Sequence, residues 1–153
     1  MTSTDWKTRQ GSCRCGRLRF EITTPPIITT ACHCKGCQRM SASAFSLSMA
    51  VPVEGFRLLS GEPVIGGARE MKGLDHSFCG HCMSWVFTRF PEVMGEIINV
   101  RSTMLEDTSE LEPFLETCTA EKLDWVTTPA KHSFEHFPTP EEFPALIEEY
   151  STR

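Results

Sequence analysis

The stretch Ser12-Cys13-Arg14-Cys15-Gly16-Arg17-Leu18-Arg19-Phe20-Glu21-Ile22 places two cysteines, one residue apart, directly before an alternating run. Leu18, Phe20 and Ile22 fall on one face of that run and Arg17, Arg19 and Glu21 on the other, the period of a half-buried strand over Arg17 to Ile22. Side chains two apart on extended backbone share a face, so Cys13 and Cys15 are expected to point at the same ion. Pro25-Pro26 ends the run. A strand that opens on paired soft ligands predicts a mainly β, metal-containing fold.

The rest of the chain extends this pattern. Phe45 to Val51 alternates Phe45, Leu47, Met49 and Val51 against Ser46, Ser48 and Ala50, a strand with a small polar face. Phe56 to Leu59 reads as a third strand, ended by the turn residues Ser60-Gly61-Glu62-Pro63, and Gly66-Gly67 marks another loop. Trp85 to Phe87 and Glu96 to Val100 read as strands separated by a turn near Pro91 to Gly95. A short turn or helix is expected from Gln38 to Ser43. Thr139-Pro140-Glu141-Glu142 has a helix-start pattern leading to a short helix that ends near Tyr150, with Pro144 as an alternative start. No repeat or linker divides the 153 residues, so a single domain over 1–153 is expected.

Seven of the eight cysteines form three clusters: Cys13-x-Cys15, Cys32-x-Cys34-x-x-Cys37 and Cys79-x-x-Cys82. Cys118 stands alone and is read as a core residue. Zinc takes soft thiolates in a tetrahedron; structural sites close with four protein ligands, and catalytic sites keep three and leave one position open. Seven ligands therefore divide as four plus three. Only the 32/34/37 cluster can form a three-ligand site locally, which leaves Cys13, Cys15, Cys79 and Cys82 for a closed site joining positions 64 apart. For the three-cysteine set two alternatives stand open: a second structural zinc completed by His33, His76 or His81, and a metal-free redox thiol cluster. Gly36 precedes the last cysteine of that set, where a tight turn would use a positive φ. His132 and His136 are assigned no role.

Composition bounds the function. Fifteen Lys and Arg against 20 Asp and Glu give a net charge of −5, and no basic run offers a footprint for phosphate backbones, so neither nucleic acid nor an anionic membrane is expected as a partner. No stretch fits a transmembrane span. The N-terminal MTSTDWKTRQ lacks an apolar leader, which makes a cytoplasmic, reducing location the expectation and disfavours a disulfide framework.

The strings Ser12-Cys13-Arg14-Cys15-Gly16, Cys32-His33-Cys34-Lys35-Gly36-Cys37-Gln38-Arg39 and Phe78-Cys79-Gly80-His81-Cys82, in this order, resemble the glutathione-dependent formaldehyde-activating enzyme family, which includes centromere protein V-like proteins. Phe56-Arg57-Leu58-Leu59-Ser60-Gly61 and Trp125 are also similar to the family pattern. The resemblance covers about Gly11 to Phe137 and leaves 138–153 as a tail or short helix. It implies a β-tent fold with two zinc ions, a structural one on Cys13, Cys15, Cys79 and Cys82 and a catalytic one on Cys32, Cys34 and Cys37. Two positions depart from the family. Met83 stands where a glycine commonly follows the third clip, a change the knuckle tolerates if its backbone avoids positive φ. His76 stands where arginine is often found, replacing a planar guanidinium by a ring that is mostly neutral at pH 7.

Three thiolates leave zinc a formal charge of −1, a poor Lewis acid for carbonyls but a good acceptor of a substrate thiol, which coordination deprotonates. The implied activity is a carbon-sulfur lyase that reversibly adds a thiol such as glutathione to formaldehyde or another small aldehyde. Arg39, just beyond the clip, is a weaker candidate for holding a substrate carboxylate, set against an ordinary surface arginine. A zinc-stabilised binding module and a thiol redox sensor are the competing classes.

Overall fold

The computed structural model describes residues 6–67, 73–92 and 95–153, so part of the turn expected near Pro91 to Gly95 lies outside the described residues. The chain is mainly β. Strands β1 (Arg9–Ser12), β2 (Arg19–Ile22) and β5 (Phe56–Ser60) form an antiparallel sheet in the order β1-β2-β5. A second, eight-stranded sheet adds β3 (Ile28–Cys32), β4 (Ser46–Pro52), β6 (Pro63–Gly66), β7 (Asp75–Cys79), β8 (Trp85–Arg89), β9 (Ile97–Arg101), β10 (Leu115–Thr117) and β11 (His132–Ser133). Its order is β11-β10-β3-β4-β9-β8-β7-β6. All pairings are antiparallel except those of β10, which runs parallel to both β3 and β11.

The apolar residues that specify the first sheet face the second. Phe20 and Ile22 of β2 are fully buried against Met49 and Val51 of β4 and Ile98 and Val100 of β9, in one core cluster. Phe20 stacks on Phe56 at 5.4 Å between ring centroids and Phe56 meets Phe87 at 4.9 Å, contacts that contribute about 1 kcal/mol each beyond their buried area. Gly11 in β1 permits this packing: a Cβ there would run into the Phe20 ring and lie 2.7 Å from the Met104 carbonyl oxygen. The other face of the large sheet is divided. At one end Ile28, Ala50, Phe114 and Leu115 pack under Leu146 and Tyr150 of helix α2 (Phe143–Ser151). Beyond them the face carries Ser46, Ser48 and Arg101, the last over the buried Trp85 ring.

Several expectations shift in detail. The first strand begins at Arg19, because Arg14 to Leu18 turn; Cys13 to Gly16 is a tight turn closed by Gly16 N–H donating to the Cys13 carbonyl at 2.9 Å, not extended backbone. Glu21, read as solvent-facing, is buried and paired with Arg57 of β5 at 2.5 Å. The helix placed at Gln38 to Ser43 is α1 (Lys35–Ser41), starting inside the cysteine cluster, and Gly36 lies within it without a positive φ. Pro63 and Gly66, read as loop, bound the edge strand β6. The C-terminal helix starts at the alternative, with Pro144 in its first turn, where the missing N–H costs nothing. Glu142 still accepts from the Thr139 N–H at 2.7 Å, the capping-box bond without its helix. Met83 does not avoid positive φ: it sits at 57° and is 60% exposed.

Candidate metal centres

Two hairpin tips build the first centre. Cys13 and Cys15 lie in the loop between β1 and β2, where Cys13 N–H donates to the Leu18 carbonyl at 3.0 Å and Leu18 N–H donates to Cys13 Sγ at 3.3 Å. Cys79 ends β7 and Cys82 lies in the turn before β8; Met83 N–H donates to the Cys79 carbonyl at 2.9 Å and Cys79 N–H to that of Ser84 at 3.0 Å. That geometry requires the left-handed backbone at Met83. The tips meet with Cys13 and Cys15 sulfurs 3.5 Å apart and Cys15 and Cys79 sulfurs 3.7 Å apart, and all four lie within 4.8 Å of one another. A zinc tetrahedron with bonds of about 2.3 Å places its sulfurs about 3.8 Å apart, so the donor set fits.

The second centre stands where β3 runs into α1. Cys32 is the last residue of β3, Cys34 is the N-cap of α1 and accepts from the Cys37 N–H at 3.3 Å, and Cys37 lies in the first turn. Their sulfurs lie within 4.8 Å of one another, and among the described residues no fourth His, Cys, Asp or Glu joins them. The three histidines considered as completing ligands have other places. His33 is fully buried and turns Nε2 to Glu116 at 3.1 Å; His76 Nδ1 lies 2.9 Å from the Thr88 hydroxyl; His81 is exposed at the other hairpin tip. Cys118 is buried, as expected of a core residue, but at φ 56° beside Cys32, whose charge helps burial push its thiol up to about 12.

The clip is tied down on all sides. Glu116 of β10 gathers His33, the Lys122 ammonium at 2.7 Å, the Thr128 hydroxyl at 2.8 Å and the Ser133 hydroxyl at 2.6 Å. Burial alone would raise its pKa, but these donors, Lys122 first, bring it to about 2. Glu121 accepts from the Lys35 N–H at 2.6 Å, and the Gln38 side chain donates to the His33 carbonyl at 2.6 Å and the Glu121 carbonyl at 2.9 Å.

Without a metal the sulfurs share charge unevenly. The Cys37 thiol's hydrogen bond draws Cys32 down to about 5 against burial, and the same bond, followed by burial, raises Cys37. The Thr117 hydroxyl lies beside Cys32 and the Ser46 hydroxyl beside Cys37, and both are buried without a hydrogen-bond partner of good geometry. Such orphaned donors are costly unless the group they face is a strong acceptor. Metal-bound thiolates on Cys32 and Cys37 would be such acceptors, so this set also fits a thiophilic ion such as zinc.

Arg39 is exposed on α1. The arginine that the fold brings to this centre is Arg101, at the end of β9. Its register partner is Ser48, and Cys32 is the partner of Ser46, so Cys32, Ser46, Ser48 and Arg101 share one face. The strand reading stopped at Val100, and a lone arginine at a strand end carried no signal of burial.

The family profile of the glutathione-dependent formaldehyde-activating enzymes matches residues 8–121. The chain belongs to that family. It is similar to a protein of Halomonas elongata described as a putative glutathione-dependent formaldehyde-activating enzyme, 28% identical over 94 residues, which cover 56% of this chain and 60% of that relative. A solved structure of a Rhodobacter sphaeroides protein shares the fold, with a TM-score of 0.50 and 20% identity, covering 66% of this chain and 91% of the other. Among the described residues no helix is long and apolar enough to cross a membrane.

Proposed function

We propose that this chain is a zinc-dependent carbon-sulfur lyase that reversibly adds a thiol, glutathione foremost, to formaldehyde or a similar small aldehyde in a reducing cytoplasm. Cys13, Cys15, Cys79 and Cys82 hold a structural zinc; Cys32, Cys34 and Cys37 hold the reactive one. The observation that carries the reading is the three-sulfur centre itself, which gathers no fourth protein ligand among the described residues, within a chain of this family.

A zinc ion on Cys32, Cys34 and Cys37 would supply an open position that keeps a substrate thiol as thiolate at neutral pH. The chain's own residues prepare that position. Ser46 and Thr117 direct hydroxyls toward two of the sulfurs, and the Glu116–His33 and Glu121–Gln38 bonds fix the clip against β10 and the turn after it. In the forward direction the thiol sulfur bonds to the aldehyde carbon and the carbonyl π pair moves to oxygen. The proton lost by the thiol is matched by one gained at that oxygen. The rate gain comes from thiolate supply and proximity.

The test is exchange NMR at equilibrium among glutathione, formaldehyde and S-hydroxymethylglutathione. The zinc-loaded protein is expected to speed exchange without moving the equilibrium, with its advantage greatest below the free thiol pKa, where solution thiolate is scarce. Cys34→Ser is expected to abolish the acceleration. No acceleration by the intact protein across a panel of thiols and small aldehydes would falsify the assignment and favour a binding module.

A further inference from the structure

Arg101 is 7% exposed, and its Nε is buried with no hydrogen-bond partner. Its guanidinium carbon lies 4.0 Å from the centroid of the Trp85 ring, and among the described residues no carboxylate lies within ion-pair distance. A buried cation without an anion is an expensive arrangement, and Trp85 offsets only part of the cost. The Trp85 ring it covers donates through Nε1 to the Thr88 hydroxyl at 3.0 Å and is met edge-on by His76, whose pKa burial and then Arg101's own charge lower. The three-cysteine clip lies on the same sheet face: Ser48 is the register partner of Arg101, and Ser46, two residues away on β4, is that of Cys32.

We infer that Arg101 is the positioning residue that lets the three-cysteine centre accept an anionic fourth ligand. The inference rests on the thiol-binding role proposed above. Three thiolates on a divalent ion carry −1, and a substrate thiolate brings the centre to −2, a charge poorly tolerated in a buried site. Arg101, placed over the Trp85 ring, brings it back to −1. On binding, the substrate thiol would lose its proton to solvent and its sulfur would take the ion's open position in place of solvent, with no change of oxidation state.

The experiment uses full-length protein with cobalt in place of zinc and follows thiolate-to-cobalt absorption as 2-mercaptoethanol, glutathione or neutral imidazole is added. Arg101→Gln is expected to weaken 2-mercaptoethanol and glutathione alike by about tenfold or more and imidazole by less than about twofold, with Arg101→Lys recovering much of the thiol affinity. Arg101→Met, which fills the same space without charge, stands in if the glutamine variant folds poorly. Equal weakening of imidazole would make Arg101 merely structural and overturn the inference. Weakening confined to glutathione would overturn it by making Arg101 a carboxylate clamp. Unchanged thiol affinity would also overturn it. A parent protein that binds no thiol would instead sink the proposed function.

Discussion

Glu116 concentrates much of what holds the three-cysteine clip in place. Three donors converge on one of its oxygens and Ser133 takes the other, on a side chain 9% exposed. Glu116→Gln keeps the shape but turns an amide toward those donors, and is expected to cost about 2 kcal/mol at pH 7. The sign of the pH dependence follows from its depressed pKa. The stabilisation is complete above the ordinary glutamate value of 4.5 and is lost as pH falls toward about 2, where the folded protein takes up the proton. The stability gap between parent and variant, from denaturant titrations at a series of pH values, is therefore expected to shrink below about pH 4.5. A gap as large at pH 3 as at pH 7 would remove Glu116 from this role.

At the scale of elements, the first centre is a staple between two hairpins. Cys15 and Cys79 are 64 positions apart, and loss of a structural metal removes folding free energy directly. Cys15→Ser is expected to lower the thermal midpoint by more than about 10 °C, whereas Cys34→Ser keeps its fold, because serine caps α1 at least as well as the thiol does. Thermal melts of the zinc-loaded variants check this; equal losses would contradict the unequal roles. The ligand clusters were legible because spacing is local: 13/15, 32/34/37 and 79/82 each span six residues or fewer. The alternating strands were legible for the same reason. Strands β1, β3, β6, β7, β10 and β11 were not, since they are short or lack alternation, and β10 exists only through parallel pairing with β3 and β11. The burial of Arg101 and Glu116 depends on those distant pairings. Positive φ at Met83 is imposed by the knuckle's hydrogen bonds against its own sequence preference.

Over the whole molecule, one face of the large sheet is divided between two tasks. One end is sealed by α2 through Leu146 and Tyr150, and the other carries Cys32, Ser46, Ser48 and Arg101, the last over Trp85. The opposite face is spent on the core shared with the small sheet, whose β1–β2 tip supplies half of the first centre. The central claim is that this arrangement holds two zinc ions, one enclosed by four sulfurs and one by three. Native mass spectrometry of the intact chain and of Cys34→Ser tests it most directly. The account predicts two zinc ions in the parent and one in a folded Cys34→Ser; a single zinc in the parent, or two retained in Cys34→Ser, would contradict it.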